Sequence, residues 1–208
     1  MTMITSEQAA TFERCMAVGG VALFGADTVY GLACDADTAE AVERLYAIKG
    51  RRPDKPAAVM FFSLELALAA LPELGPRTTT ALEGLLPGAV TLLLPNPARR
   101  YPLACGPDAA TIGLRVPALA PTATALAAVR WPVLQSSANP AGGPDARRLQ
   151  DIPPAIRDAA DLVLDAGELD GTASTVVDLR RFEDDGAWDV LREGAVASGC
   201  VAATLASL

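Results

Sequence analysis

The sequence predicts one α/β (or α+β) domain on a mixed sheet, and three observations carry that prediction. Short apolar runs and amphipathic helical patterns interleave along the whole chain, the arrangement that layers helices on a sheet. Of 208 residues, 51% are apolar and 20% charged, a composition that builds a core. No shift in composition marks a boundary, so residues 6–205 are expected to form one domain. Met1–Thr5 are set aside as a leader, vector-derived or disordered, with no meaning for the fold.

The elements follow in order. Ser6 precedes, as its cap, a helical pattern that runs to about Val18 and stops at Gly19-Gly20. Val21–Phe24 is a short apolar strand; Thr28–Cys34 is a second, with Thr28, Tyr30 and Leu32 on one face. Thr38 has the side chain of an N-cap, Ala39, Val42, Leu45 and Tyr46 make an apolar stripe, and Gly50 ends the helix. Pro56–Phe62 reads as extended, Leu64–Leu71 and Thr78–Leu86 as helices, Val90–Leu94 as a buried strand, and Arg99–Ala110 as loop. In the strand Thr111–Val116, Ile112, Leu114 and Val116 share a face and Arg115 points to the other. A helix over Pro121–Val129 leads to a strand at Val133–Ser136 and a Gly/Pro-rich loop over Ser137–Asp145. Beyond it are expected a helix near Ile152–Ala160, strands at Leu162–Leu164, Ser174–Asp178 and Trp188–Leu191, and a closing helix over Val196–Leu205.

Composition excludes several kinds of chemistry. The chain has no histidine, which removes Ser-His-Asp and Cys-His catalysis and imidazole-held metals. Cys15, Cys34, Cys105 and Cys200 form no C-x-x-C pair and read as free thiols in a reducing cytosol. No residue is assigned to a metal. A net charge of −8, from 17 basic and 25 acidic residues, is wrong for tight nonspecific binding to nucleic acid. Apolar stretches such as Gly84–Ala98 are too short for a membrane span and Met1–Glu7 lacks a secretory pattern, so a cytoplasmic location without membrane contact is expected.

Five clusters could carry chemistry. Lys49, Arg51, Arg52 and Lys55 place four cations within seven residues after a helix end. They either complement the helix dipole from a solvated loop or clamp a polyphosphate, for which arginine forks and lysine point charges are suited. Ser136–Gly143 follows an apolar strand, where α/β sheets bind ligands, and Ser137 and Asn139 offer hydrogen bonds to a phosphate or nucleotide; an ordinary turn is the alternative. Arg115 is either solvated or holds an anion. Gly25 and Gly31 flank Asp27-Thr28-Val29-Tyr30, where a ligand could approach the backbone. Ser174–Asp178 and Arg192-Glu193-Gly194 are unremarkable separately. No Walker A loop is present.

Taken in order, these segments resemble the YrdC-like family of L-threonylcarbamoyladenylate synthases. The matching pieces are Asp27–Leu32, Ile48–Arg51 with Lys55-Pro56, Leu86–Thr91, Gly113–Pro117, Ser136–Asn139, Ser174–Asp178 and Arg192–Gly194. The resemblance implies a strongly twisted mixed sheet flanked by helices, with a concave, positive ligand cavity. It implies that the family's K-x-R and S-x-N tetrad falls on Lys49, Arg51, Ser137 and Asn139, with Lys49 and Arg51 as the catalytic pair on the ATP phosphates. It also implies Ser174 and Arg192 for the nucleotide, and Thr28 and Arg115 for L-threonine. Substrates would be ATP, L-threonine and bicarbonate, with Mg2+ arriving on ATP and no tightly bound organic cofactor. The product would pass to tRNA threonylcarbamoyl-transfer proteins, with at most weak RNA contact. Two departures stand out. The histidine that many members carry shortly after the K-P pair is missing from Ala57–Met60, and the usual Pro-Thr-Asp-Thr segment reads Gly25-Ala26-Asp27-Thr28. A YciO-like relative of uncertain activity and a noncatalytic RNA-binding module are the alternative readings.

Overall fold

The computed structural model describes residues 3–208 and is built on one nine-stranded mixed sheet. In chain order the strands are β1 (Ala22–Gly25), β2 (Tyr30–Asp35), β3 (Ala58–Met60), β4 (Val90–Pro95), β5 (Thr111–Arg115), β6 (Val133–Ser137), β7 (Leu162–Leu164), β8 (Thr175–Arg181) and β9 (Ala187–Arg192). Across the sheet they run β7-β1-β2-β6-β3-β5-β4-β8-β9. The pairs β1–β7, β3–β5 and β4–β8 are parallel and the other neighbours antiparallel.

The helices are α1 (Ser6–Ala17), α2 (Ala39–Lys49), α3 (Leu64–Ala70), α4 (Pro76–Leu85), α8 (Ser198–Ala206) and three single turns, α5 (Pro102–Cys105), α6 (Pro154–Arg157) and α7 (Phe182–Asp185). Strand alternation sorts the sheet into two faces. Leu32, Val59, Leu92, Leu114, Leu134 and Val177 are buried on one face in a core shared with α2, α3, α4 and α8. On the other, α1 covers the end of the sheet around β7, β1 and β2. There Phe12 stacks edge-on against Phe24 and Phe62, with ring centroids 5.2 and 5.5 Å apart. Beyond α1 the same face lies open.

Several expectations move by a turn. Ile4 is buried, its N–H donates to the Thr122 carbonyl at 2.8 Å, and Thr5 caps α1 in a capping box with Gln8. The cap is therefore Thr5 rather than Ser6, and the expected leader contributes at least its residues 4 and 5 to the fold. Met1 and Thr2 lie outside the described residues. Thr38 occupies the N-cap of α2, but its hydroxyl donates to Asp35 instead of accepting from the helix. Gly50 ends α2 with φ of 60°, the left-handed conformation the sequence requires there. The helix expected over Pro121–Val129 is a 3-10 segment, Thr124–Ala128. The one expected over Ile152–Ala160 is a single turn, because Pro153-Pro154 start it late and Asp161 must already donate its N–H to Val21 beside β1. No helix among the described residues is long and apolar enough to cross a membrane.

Candidate active site

The open part of the concave face is a cavity of about 440 Å³ over β3, β5, β4 and β8, closed at one side by the β6 loop. Alternation selects its floor. Thr91 and Leu93 come from β4 and Gly113 and Arg115 from β5, each between residues buried on the opposite face; Thr111 at the start of β5 and Gln135, Ser136 and Ser137 of β6 complete the lining. Arg51, Arg115, Arg180 and Arg192 bring positive charge to the wall, against the carboxylates of Asp108 and Asp145. Of the residues expected at the site, Arg51, Arg115, Ser137, Ser174 and Arg192 line the cavity; Lys49, Asn139 and Thr28 are buried beside it.

Lys49 is drawn into the protein's own hydrogen bonds. It was expected on phosphates, yet its ammonium is buried and donates to the Ser137 carbonyl, the Asn139 carbonyl at 2.7 Å and Asn139 Oδ1 at 3.0 Å. An ammonium has three protons, so three acceptors occupy it fully. The network continues outward. Ser137 Oγ donates to Asn139 Oδ1 at 2.7 Å, and Asn139 Nδ2 donates to the Gly143 carbonyl at 2.6 Å and to Asp145 Oδ1 at 3.2 Å. Asn139 was likewise expected to donate to nucleotide; its amide is committed to its own loop. Burial, with Arg51 adding repulsion and Asp145 opposing it, pushes the Lys49 ammonium down to about 8.

Arg115 is not solvated: the anion it holds is the protein's own. Nη2 donates to Asp27 Oδ1 and Oδ2 at 2.9 and 3.1 Å, and Nη1 to Gln135 Oε1 at 3.2 Å. Both members of the pair are buried, and Arg115 Nε has no partner among the described residues. Thr28 was expected to meet threonine. Here it orients Asp27, donating to Oδ1 from its N–H at 2.8 Å and its hydroxyl at 3.4 Å. Gly31, paired with Ser137 across β2–β6, leaves room for Gln135: a Cβ there would sit 2.4 Å from Gln135 Nε2.

Arg51 faces the cavity more freely. Its Nη2 donates to the Pro56 carbonyl, its guanidinium lies 5.8 Å from the Tyr46 ring centroid, and Nε is buried without a partner among the described residues. On the far wall, Arg192 Nη2 donates to the Ser174 carbonyl at 2.7 Å, and the Ser174 and Thr91 hydroxyls meet at 2.8 Å. Gln135, Asp108, Asp145 and Arg180 were not singled out from the sequence, and Asp27 and Thr91 stood within matched segments without a role of their own. For Thr91 and Gln135 the signal existed: each is a polar residue interrupting an apolar strand, as Arg115 is. For Asp27 no local signal exists, since its partner lies 88 positions away. Among the described residues no cluster of three or more carboxylates or thiols could cage a metal.

Fold and site together define a class: an α/β protein whose concave sheet face gathers arginines around an open cavity. The Sua5/YciO/YrdC family model, described as telomere recombination, matches residues 14–194, and the chain belongs to that family. A threonylcarbamoyl-AMP synthase of Xanthomonas campestris is 35% identical over 163 residues, covering 76% of this chain and 84% of the relative. Among solved structures, the H234A/Y235A variant of P. abyssi Sua5 superposes with a TM-score of 0.80 at 25% identity over 94% of this chain. The chain spans only 59% of that longer protein. E. coli YciO shares the fold, with a TM-score of 0.77 at 24% identity and 94% of its length covered.

Proposed function

We propose that the chain is a threonylcarbamoyl-AMP synthase, a nucleotidyl-transferring enzyme that joins L-threonine, bicarbonate-derived CO2 and ATP and releases pyrophosphate. The observation that carries this reading is the arginine-lined cavity on the concave sheet, in a chain 35% identical to a threonylcarbamoyl-AMP synthase over 163 residues. Threonine's neutral amine adds to CO2, giving a carbamate. A carbamate oxygen attacks the α-phosphorus of ATP, and pyrophosphate leaves with the bonding electron pair. No protein nucleophile is needed, which suits a chain without histidine.

Catalysis then rests on alignment and on neutralising phosphate charge. Arg51 has donors to offer the triphosphate. Lys49 supports that role from behind by holding the Ser137–Asn139 turn, and Arg192 holds the Ser174 carbonyl. Arg115 keeps two of its five N–H donors, Nε and one on Nη1, with which it would meet a threonine carboxylate beside the Asp27 pair. The donor set fits a magnesium ion carried in on ATP, which needs only one or two protein carboxylates: Asp145 would hold it, and it would supply charge neutralisation on the phosphates.

The test is pyrophosphate release with the product identified by mass spectrometry. Release that requires both threonine and bicarbonate, with a threonylcarbamoyl-AMP mass, is the expected result. ATP turnover to ADP that ignores threonine sinks the reading and returns the chain to the YciO-like alternative. The product, a reactive mixed anhydride, would be handed to proteins that modify tRNA.

A further inference from the structure

Thr91 and Ser174 face one another across the junction of β4 and β8, hydroxyl to hydroxyl at 2.8 Å. Two hydroxyls carry two protons, and the contact between them uses one. Among the described residues the second proton has no acceptor. Neither side chain is free to turn away. Thr91 sits between Val90 and Leu92, both buried in the core, and its β-branched side chain is stiff at χ1. Ser174 is 3% exposed, and its segment is tied down on both sides. Arg192 binds the Ser174 carbonyl, the Ala195 N–H donates to Ala173 at 2.8 Å, and the Thr175 N–H donates to Ala89 at 3.1 Å. The unused proton is thus delivered to the cavity that both residues line.

A hydroxyl that donates while accepting from a second hydroxyl is polarised and donates more strongly. Arg180 and Arg192 line the same wall, so the matching acceptor is an anionic oxygen. We propose that Thr91 is a substrate-binding residue: with Ser174 it forms a two-hydroxyl donor for a phosphate oxygen of the nucleotide. The inference rests on the nucleotide-using reading above and adds to it a residue of β4, the strand that alternates between core and cavity.

The experiment is calorimetric titration of the intact chain with ATP, inorganic tripolyphosphate and L-threonine, with melting curves on the same preparations. Thr91→Val keeps the shape and removes the hydroxyl; Thr91→Ser restores it; Ser174→Ala removes the other oxygen. Losing a hydrogen bond to a charged group predicts a roughly ten- to hundredfold rise in Kd for ATP and tripolyphosphate in Thr91→Val and Ser174→Ala. Thr91→Ser should recover most of it, and the threonine Kd should stay within about twofold, since the proposal puts that ligand at Arg115 and not at the pair. Unchanged ATP affinity in both Thr91→Val and Ser174→Ala overturns the assignment. So does a loss confined to threonine, or a loss for ATP that spares tripolyphosphate, which would put the acceptor on the nucleoside. Wild-type protein that binds no ATP removes the nucleotide reading itself, a failure distinct from wild-type affinity retained by Thr91→Val.

Discussion

Two walls of one cavity use their hydrogen-bond donors in opposite ways. On the Ser137–Asp145 side, Lys49, Ser137 and Asn139 bond to one another and to loop carbonyls until every donor is taken. The Arg115–Asp27 pair behaves similarly, apart from Nε and one Nη1 proton. On the far side the Thr91–Ser174 pair retains a donor that no described residue accepts, and Arg51, which reaches Ser136 at 3.5 Å and so stands at the edge of the first wall, keeps Nε without a partner. Residue type does not distinguish the walls, since both present cations and hydroxyls. The first wall shapes the site and the second binds what enters. Substitutions on the shaping wall should therefore be read in stability first, and those on the binding wall in kinetics first.

The most damaging substitution should be Arg115→Leu. It leaves Asp27 buried and unpaired, a loss of about 3–5 kcal/mol, which lowers Tm by on the order of 10 °C in a chain of this size. A melting temperature within a degree or two of wild type would mean that Asp27 is hydrated and the pair is not structural. Next comes Arg51→Ala. Losing a preorganised charge contact costs about 2.7–4 kcal/mol in the transition state, so kcat/KM should fall roughly a hundred- to thousandfold with Tm nearly unchanged. Arg52→Ala, whose side chain is 75% exposed and pairs only with Asp54, is the control and should remain active. If Arg51→Ala melts early and turns over normally, the contrast between the walls collapses.

Lys49→Met should be smaller and of the opposite kind. Each carbonyl left without a donor costs about 1–3 kcal/mol, so Tm should drop by several degrees before activity is considered. A Tm equal to wild type together with lost ATP affinity would reassign the ammonium to the ligand. The smallest effect is in pH. Folded Lys49 titrates near 8, below the ordinary lysine value of 10.5, so between those values the unfolded chain binds more protons. The contribution of this group to stability therefore rises with pH across that window. The ammonium that holds the turn is lost over the same range, so activity relative to Lys49→Met should fall as pH passes about 8. Melting and kcat/KM profiles that move together would show that the turn does not need the charge.

Much of this was legible in the sequence. The alternation in Thr111–Val116 put Arg115 opposite the core, and Gly50 ended α2 where the chain needed a left-handed residue. The order of motifs pointed to the family and to which segments meet. What stayed hidden is the direction of each donor. Lys49 and Arg51 are two residues apart at the end of one helix, and nothing local says that one turns inward to a loop nearly ninety positions on while the other faces the cavity. The lengths of the weak helices were hidden for a similar reason. Pro154–Arg157 stops after one turn because the chain must reach the sheet edge beside β1, a demand set by tertiary structure and not by helix propensity.

Gly31 has a consequence for how sequences of this kind can change. A methyl group there would meet the Gln135 amide at 2.4 Å and the Ser136 carbonyl at 3.2 Å. The amide could swing away, but only by releasing Arg115. Positions 31 and 135 are thus linked in evolution: a lineage that acquires alanine at 31 must also shorten 135 or find Arg115 another neighbour. A drift experiment that starts from this chain and selects only for folding should recover the two changes together far more often than either alone.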